Sequence, residues 1–232
     1  LDKLVTYAST FDPTFPSRIR GAGTEEIERL QDLAGHVLPQ DYKEYLSLMG
    51  HGDGGALSST EICTDIAEVI AFYEENVATG EDEVPSDCVV IGVGGVAVQQ
   101  LYLEHEAQGH VFDGADGEKL RLWSESFEKL LHQQIYMQYR PNQLAHSAFY
   151  ATSDRAPVFN SARAAAIRLG FAPEWFSDKI TFCGERSGTV LVLNQLEGQG
   201  LWVRIAAERV EALPTIAQSI AEASGVLLQR SA

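Results

Sequence analysis

The sequence contains no apolar run of the roughly 18 to 20 residues that a membrane-crossing helix requires. It has three cysteines, Cys63, Cys88 and Cys183, an odd number at wide spacing. That argues against a disulfide framework or a thiolate zinc site and fits a reducing compartment. The opening stretch, LDKLVTYASTFDPTFPSR, lacks the basic-then-apolar order of a secretion signal. The cytoplasm is therefore the expected location. Positive charge is also scarce, and unevenly so. Through Arg140 there are 25 Asp and Glu against 9 Lys and Arg, whereas from Pro141 onward the counts are 8 and 8. The net charge of −16 thus lies entirely in the first part. Between Glu61 and Asp87 run nine acids (Glu61, Asp65, Glu68, Glu74, Glu75, Glu81, Asp82, Glu83, Asp87) and no Lys or Arg. Such a field repels nucleic acid and anionic membranes and speeds encounter with basic partners. Plain solubility is the competing account.

Catalytic signatures are equally thin. HEAQGH (His105 to His110) spaces its histidines at i, i+5, one residue more than the helical zinc-protease pair needs, with Gly109 between them. IGVGG (Ile91 to Gly95) has neither the dinucleotide nor the phosphate-loop form, and a bulge or tight turn between strands is expected there. GERSG (Gly184 to Gly188) is not a nucleophile elbow and sits where a hairpin turn belongs. The cysteines have no nearby His to activate a thiolate and read as small buried hydrophobes. No catalytic residue, metal or cofactor is expected.

What is present is an ordinary globular composition, 45% apolar and 22% charged, in 232 residues, a length comfortable for two domains. The change in charge balance at PNQ (Pro141 to Gln143) marks the boundary. The expected organisation is an irregular lead-in over 1–20, broken by Pro13 and Pro16, an acidic domain over 21–140, and a smaller α/β domain over 141–232. In the acidic domain Thr24 can cap a helix that Gly35 closes. In the next helix Pro39 and Asp41 suit the first turn, while Tyr42, Tyr45, Leu46 and Met49 share one face. Gly50 would end it in the left-handed conformation. A third helix is expected over roughly 60 to 77, with Ile62, Ile66, Val69, Ile70, Tyr73 and Val77 on its buried face. CVVIGVG, AVQQLYLEH and GHVFDG read as strands, and Ser124 or Ser126 as the cap of a helix with Phe127, Leu130 and Leu131. The last domain reads strand, helix, three strands, helix, with Trp175, Phe176 and Trp202 as core aromatics.

At 100° per residue, Glu61, Asp65, Glu68 and Glu75 fall on the outer side of the third helix, with Phe72 in their midst. An aromatic ringed by charge suits a protein-binding surface. Together with the acidic turn Glu81, Asp82, Glu83, these residues form the expected partner-binding set. Alternatively, Phe72 covers a neighbouring loop or the second domain.

The order TEEIERLQDLAGHVLPQDYKEYLSLMGHGDGG (Thr24 to Gly55) resembles the front motif of the SUKH superfamily, through Leu38, Pro39, Asp41, Tyr42, Tyr45, Leu46, Gly54 and Gly55. VVIGVGG and SESFEKLL resemble its closing elements, so the likeness spans about residues 18–135. MGHGDGG is longer and richer in glycine than the family's usual Asn-Gly-Gly ending. The resemblance implies an α+β domain, a mixed sheet flanked by helices, without a catalytic centre. Many bacterial members look like immunity proteins that bind and block a cognate toxin, and eukaryotic relatives include a scaffold in yeast cell-wall assembly. The expectation is thus an immunity protein for a basic toxin such as a nuclease. A scaffold or regulatory module is the alternative, and a small enzyme in the last domain is a third reading.

Overall fold

The computed structural model describes residues 1–58, 62–94, 100–105 and 109–230. The chain is α+β and divides into two compact units, Leu1–Leu131 and His132–Ala232. The division falls within a helix, earlier than the boundary read at Pro141.

The first unit opens with helix α1 (Asp2–Phe11), so the expected irregular lead-in is corrected. Pro13 and Pro16 lie beyond this helix and do not break it. Leu4 and Ala8, at i and i+4, are buried. The Asp12 carboxylate then accepts the Thr14 N–H at 2.9 Å and turns the chain. The two-residue strand β1 (Ile19–Arg20) leads to helix α2 (Thr24–Ala34). Its N-cap is Gly23 rather than Thr24, and the Gly23 N–H donates to Glu26 Oε2 at 2.9 Å. Helix α3 (Gln40–Met49) buries Tyr42, Tyr45, Leu46 and Met49, the expected face. Gly50 does not take the left-handed conformation, since its φ is −61°. Glycine serves there for space, because a Cβ would lie 2.7 Å from that of Ala22.

The glycine-rich segment after α3 is ordered. Strand β2 (Gly52–Asp53) pairs antiparallel with β1. The expected third helix is shorter than its periodicity suggested. Ile62–Cys63 forms strand β3, and helix α4 spans Ile66–Phe72. A π-helical turn follows over Tyr73–Val77, in which the Ala78 N–H donates to Tyr73 O.

Strands β4 (Cys88–Gly94), β5 (Gln100–Glu104), β6 (Val111–Ala115) and β7 (Glu118–Ser124) complete an antiparallel sheet of order β3-β4-β5-β6-β7. The mixed sheet is thus replaced, among the described residues, by antiparallel pairs. The bulge expected at IGVGG lies between Val90 and Gly92, and the Val90 N–H there donates to the Tyr73 hydroxyl at 3.0 Å. Helix α5 (Phe127–Tyr139) begins at Ser126, whose Oγ accepts the Lys129 N–H. The Phe127 ring meets Tyr42 and Tyr45 edge-on in the core of this unit.

The second unit holds β8 (His146–Ala151), α6 (Phe159–Arg168), β9 (Ala172–Pro173), β10 (Thr181–Arg186), β11 (Thr189–Asn194), β12 (Trp202–Ala207), α7 (Ala212–Ser224) and β13 (Gln229–Arg230). Its sheet order is β13-β8-β12-β11-β10-β9, again with antiparallel pairs, so the α/β expectation is corrected to α+β. Alanines 162, 165 and 166 of α6 and Leu213, Ile216 and Ile220 of α7 share one core with Phe171, Phe182, Leu191, Val203 and Ile205. The β10–β11 hairpin turn falls at the end of GERSG, at Ser187 and Gly188, with φ 41° and 71°. Of the three aromatics expected in the core, Phe176 is buried, whereas Trp175 is 58% exposed and Trp202 half-buried. Trp175 rests edge-on against His132, and Trp202 lies beside Phe149.

Candidate functional site

The segment HGDGGALS is organised by one buried carboxylate. Asp53 Oδ1 accepts the Gly55 N–H at 2.8 Å, and Oδ2 accepts the N–H groups of Leu57 and Ser58 at 2.7 and 2.6 Å. The hydroxyls of Tyr45 and Thr64 approach Oδ2 at 3.2 and 3.3 Å. A buried charge is tolerated only when saturated with donors, and these supply that saturation. Gly54 has φ +64°, and a Cβ there would come within 2.8 Å of the buried Phe15 ring. The glycines thus let the backbone wrap around Asp53 above Phe15.

At the segment's front, His51 lies between two helices. Its Nδ1 is 3.0 Å from Asp65 Oδ1, and its Nε2 is 2.9 and 3.0 Å from the two Glu26 carboxylate oxygens. Asp65 is the N-cap of α4 and accepts the Ala67 N–H at 3.0 Å. The hydrogen bond to Glu26, with that to Asp65, raises the His51 pKa against the opposing effect of burial. The Gly23 N–H and His51 lower that of Glu26.

The acidic set expected from sequence is only partly brought together. Glu61 lies outside the described residues. Asp65 caps α4 and faces His51, so it does not join an outer stripe. Glu68 and Phe72 share one side of α4 at i, i+4; Glu68 is exposed and Phe72 half-buried, edge-on to Tyr73. Glu75 is exposed but sits in the π turn, where the extra residue per turn rotates it away from the 100° spacing. Glu74, opposed to the helix dipole, is compensated by Arg29, whose Nε and Nη2 donate to it at 3.0 and 2.5 Å. Glu81 and Glu83 are exposed. Asp82 is half-buried and accepts from Gln100 Nε2 at 2.9 Å, and burial raises its pKa with help from Asp116.

A cavity of about 650 Å³ opens at the N-terminal end of α3, lined by Leu38, Pro39, Asp41, Glu44, His105 and Glu128 among others. Burial, with Glu128 and Glu44 nearby, raises the Asp41 pKa despite its place in the first helical turn. The cavity's charged lining is Asp41, Glu44 and Glu128 with one cation, Lys43, so acidic groups predominate. The His105 ring lies tilted against that of His36, with 4.4 Å between centroids, and burial lowers its pKa. His110 is held instead by Glu104, 2.9 Å from its Nδ1. Of HEAQGH, residues 106–108 lie outside the described residues. Among the described residues no group of three His, Cys, Asp or Glu side chains is placed to hold a metal ion. Cys88 and Cys183 are buried, and burial pushes the Cys88 thiol up to about 12. Cys63 is exposed, against expectation.

No helix among the described residues is long and apolar enough to cross a membrane. No family model matches the chain, and no curated protein matches it.

Proposed function

We propose that this chain is a cytoplasmic immunity protein that neutralises a cognate, basic toxin, such as a nuclease, by stoichiometric binding without catalysis. The observation that carries the reading is the cation-free run from Glu61 to Asp87, within which Glu68, Glu75, Glu81 and Glu83 are exposed on the unit that holds the net charge. A nuclease must hold phosphates and is commonly basic, so an acidic surface steers onto it and occludes its substrate channel. Phe72 beside Glu68 supplies the apolar contact that complementary charge lacks. The cavity at the head of α3 offers a second receptor for a basic side chain. The assignment of the first unit to the SUKH superfamily belongs to this proposal. It is supported by the order of two helices, a glycine segment, a strand meander and a closing helix over the stretch that carries the motif.

The test is capture of partners on the purified chain from its native host, at low and high salt, with identification by mass spectrometry. One dominant basic partner near one-to-one ratio, encoded beside this chain, is the expected result. Several unrelated host proteins would favour a scaffold instead. The double variant Glu68→Ala, Phe72→Ala is expected to weaken the complex without unfolding the chain. Unchanged affinity would remove α4 from the interface.

A further inference from the structure

We propose that Glu26, His51 and Asp65 form a proton-operated latch that ties the start of the glycine segment to the N-termini of α2 and α4. The geometry carries this. Both ring nitrogens of His51 lie within 3.0 Å of carboxylate oxygens. A neutral imidazole has one N–H and one lone pair. It can satisfy one carboxylate while turning its lone pair on the other. Only the imidazolium donates to both, so the closed latch is the protonated form.

Each carboxylate is fixed independently of the histidine. Glu26 accepts the Gly23 N–H as the return half of a capping box, and Asp65 accepts the Ala67 N–H as N-cap. The acceptors are therefore presented by two helix ends, and the ring is the titrating part. The charged groups that face it are Glu26 from α2 and Asp65 from the head of α4. Arg20 of β1 donates to the His51 backbone oxygen at 3.1 Å. The backbone around the ring is stitched by bonds that do not titrate, His51 N–H to Arg20 O and Ile66 N–H to Gly50 O, at 2.8 and 2.7 Å. Opening thus frees the side chains, while the β1–β2 pairing and the Ile66–Gly50 bond stay.

The folded His51 pKa is raised, so its contribution is complete below the unfolded value and is lost as pH rises through the folded one. At low pH the contribution of Glu26, whose pKa is lowered, is lost as pH falls through its folded value. The latch is closed between these limits. Deprotonation of His51 removes one positive charge beside the acidic run. This holds whether or not that run binds a toxin.

The test is an NMR titration of the full chain, following the ring resonances of His51, with the same chain unfolded in urea as reference. The folded His51 midpoint is expected to lie above the unfolded one, with both ring nitrogens protonated below it. Glu26→Gln and Asp65→Asn, which keep both caps, should each lower that midpoint by about one unit. A folded His51 midpoint at or below that of the unfolded chain, or one unmoved by both variants, would overturn the latch.

Discussion

The Tyr45 hydroxyl sits 3.2 Å from Asp53 Oδ2, joining the buried face of α3 to the carboxylate on which the following segment is wound. An aromatic helix running into glycines is therefore one device: the helix presents a donor, and the glycines let the backbone bring its own N–H groups to the same acceptor. Asp53→Ala would leave those donors facing no charge. It is expected to lower unfolding free energy by about 3 kcal/mol, measured as a shift in urea midpoint. A loss well under 1 kcal/mol would show that the segment is held by other means.

Tyr42 and Tyr45 are both fully buried, yet only one hydroxyl has an established partner. Tyr42 Oη finds none among the described residues, and burial raises its pKa. Tyr42→Phe should be neutral or stabilising, by up to about 1 kcal/mol, whereas Tyr45→Phe should cost about 1.5 kcal/mol. Thermal melts of the two variants, side by side, decide this, and a reversed order would contradict the assignment.

Asp41 gives a pH dependence of opposite sense to an ordinary helix-capping acid. Its folded pKa is raised, chiefly by burial, so the ionised side chain opposes folding at neutral pH and ceases to do so as pH falls through the folded value toward the unfolded one. Asp41→Asn should raise the melting temperature at pH 7, with the gain shrinking toward pH 3. A gain constant across that range would point to helix propensity instead.

In the second unit Gln195 caps α6 from afar. Its Oε1 accepts the Val158 and Phe159 N–H groups at 3.0 and 2.8 Å, and its Nε2 donates to the Ala156 and Gln199 carbonyls at 2.7 and 3.1 Å. Gln195→Ala is expected to destabilise by about 2 kcal/mol. Denaturant titration of that variant, with Gln195→Glu retaining the acceptor and recovering part of the loss, separates capping from packing.

Periodicity made α2, α3, the strands around Val89 and Leu191, and both helices of the second unit legible, because one buried face imposes one spacing. It misled at Ile62, which fits a helical face one turn before Ile66 but pairs with Gly94 in a strand. The π turn at Tyr73 has no marker in sequence, and it dissolves the outer stripe on which Glu75 was placed. Strand β7 had a signal that the hydrophobic pattern hid: Asp116-Gly117, at φ 49° and 75°, is a two-residue hairpin turn between Ala115 and Glu118. Asp53 and His51 were not legible as a site. Their roles depend on Thr64, Glu26 and Asp65, brought near only by the fold.

The two-residue strands β9 and β13 bear on how crowded solutions of this chain behave. At one border of the six-stranded sheet, β9 pairs with Gly184 and Glu185, and the chain after it continues along β10. There the Glu174 and Asp178 N–H groups donate to Cys183 and Thr181 carbonyls, and Ser177 Oγ bonds both the N–H and the C=O of Cys183. At the other border β13 occupies Tyr150 and Ala151 of β8. At those positions the main-chain groups that would otherwise template a neighbouring molecule are already engaged, and strands this short are one way natural sheets resist edge-to-edge polymerisation. The template that these margins offer to a second molecule is thereby shortened, on the β8 side to His146–Phe149.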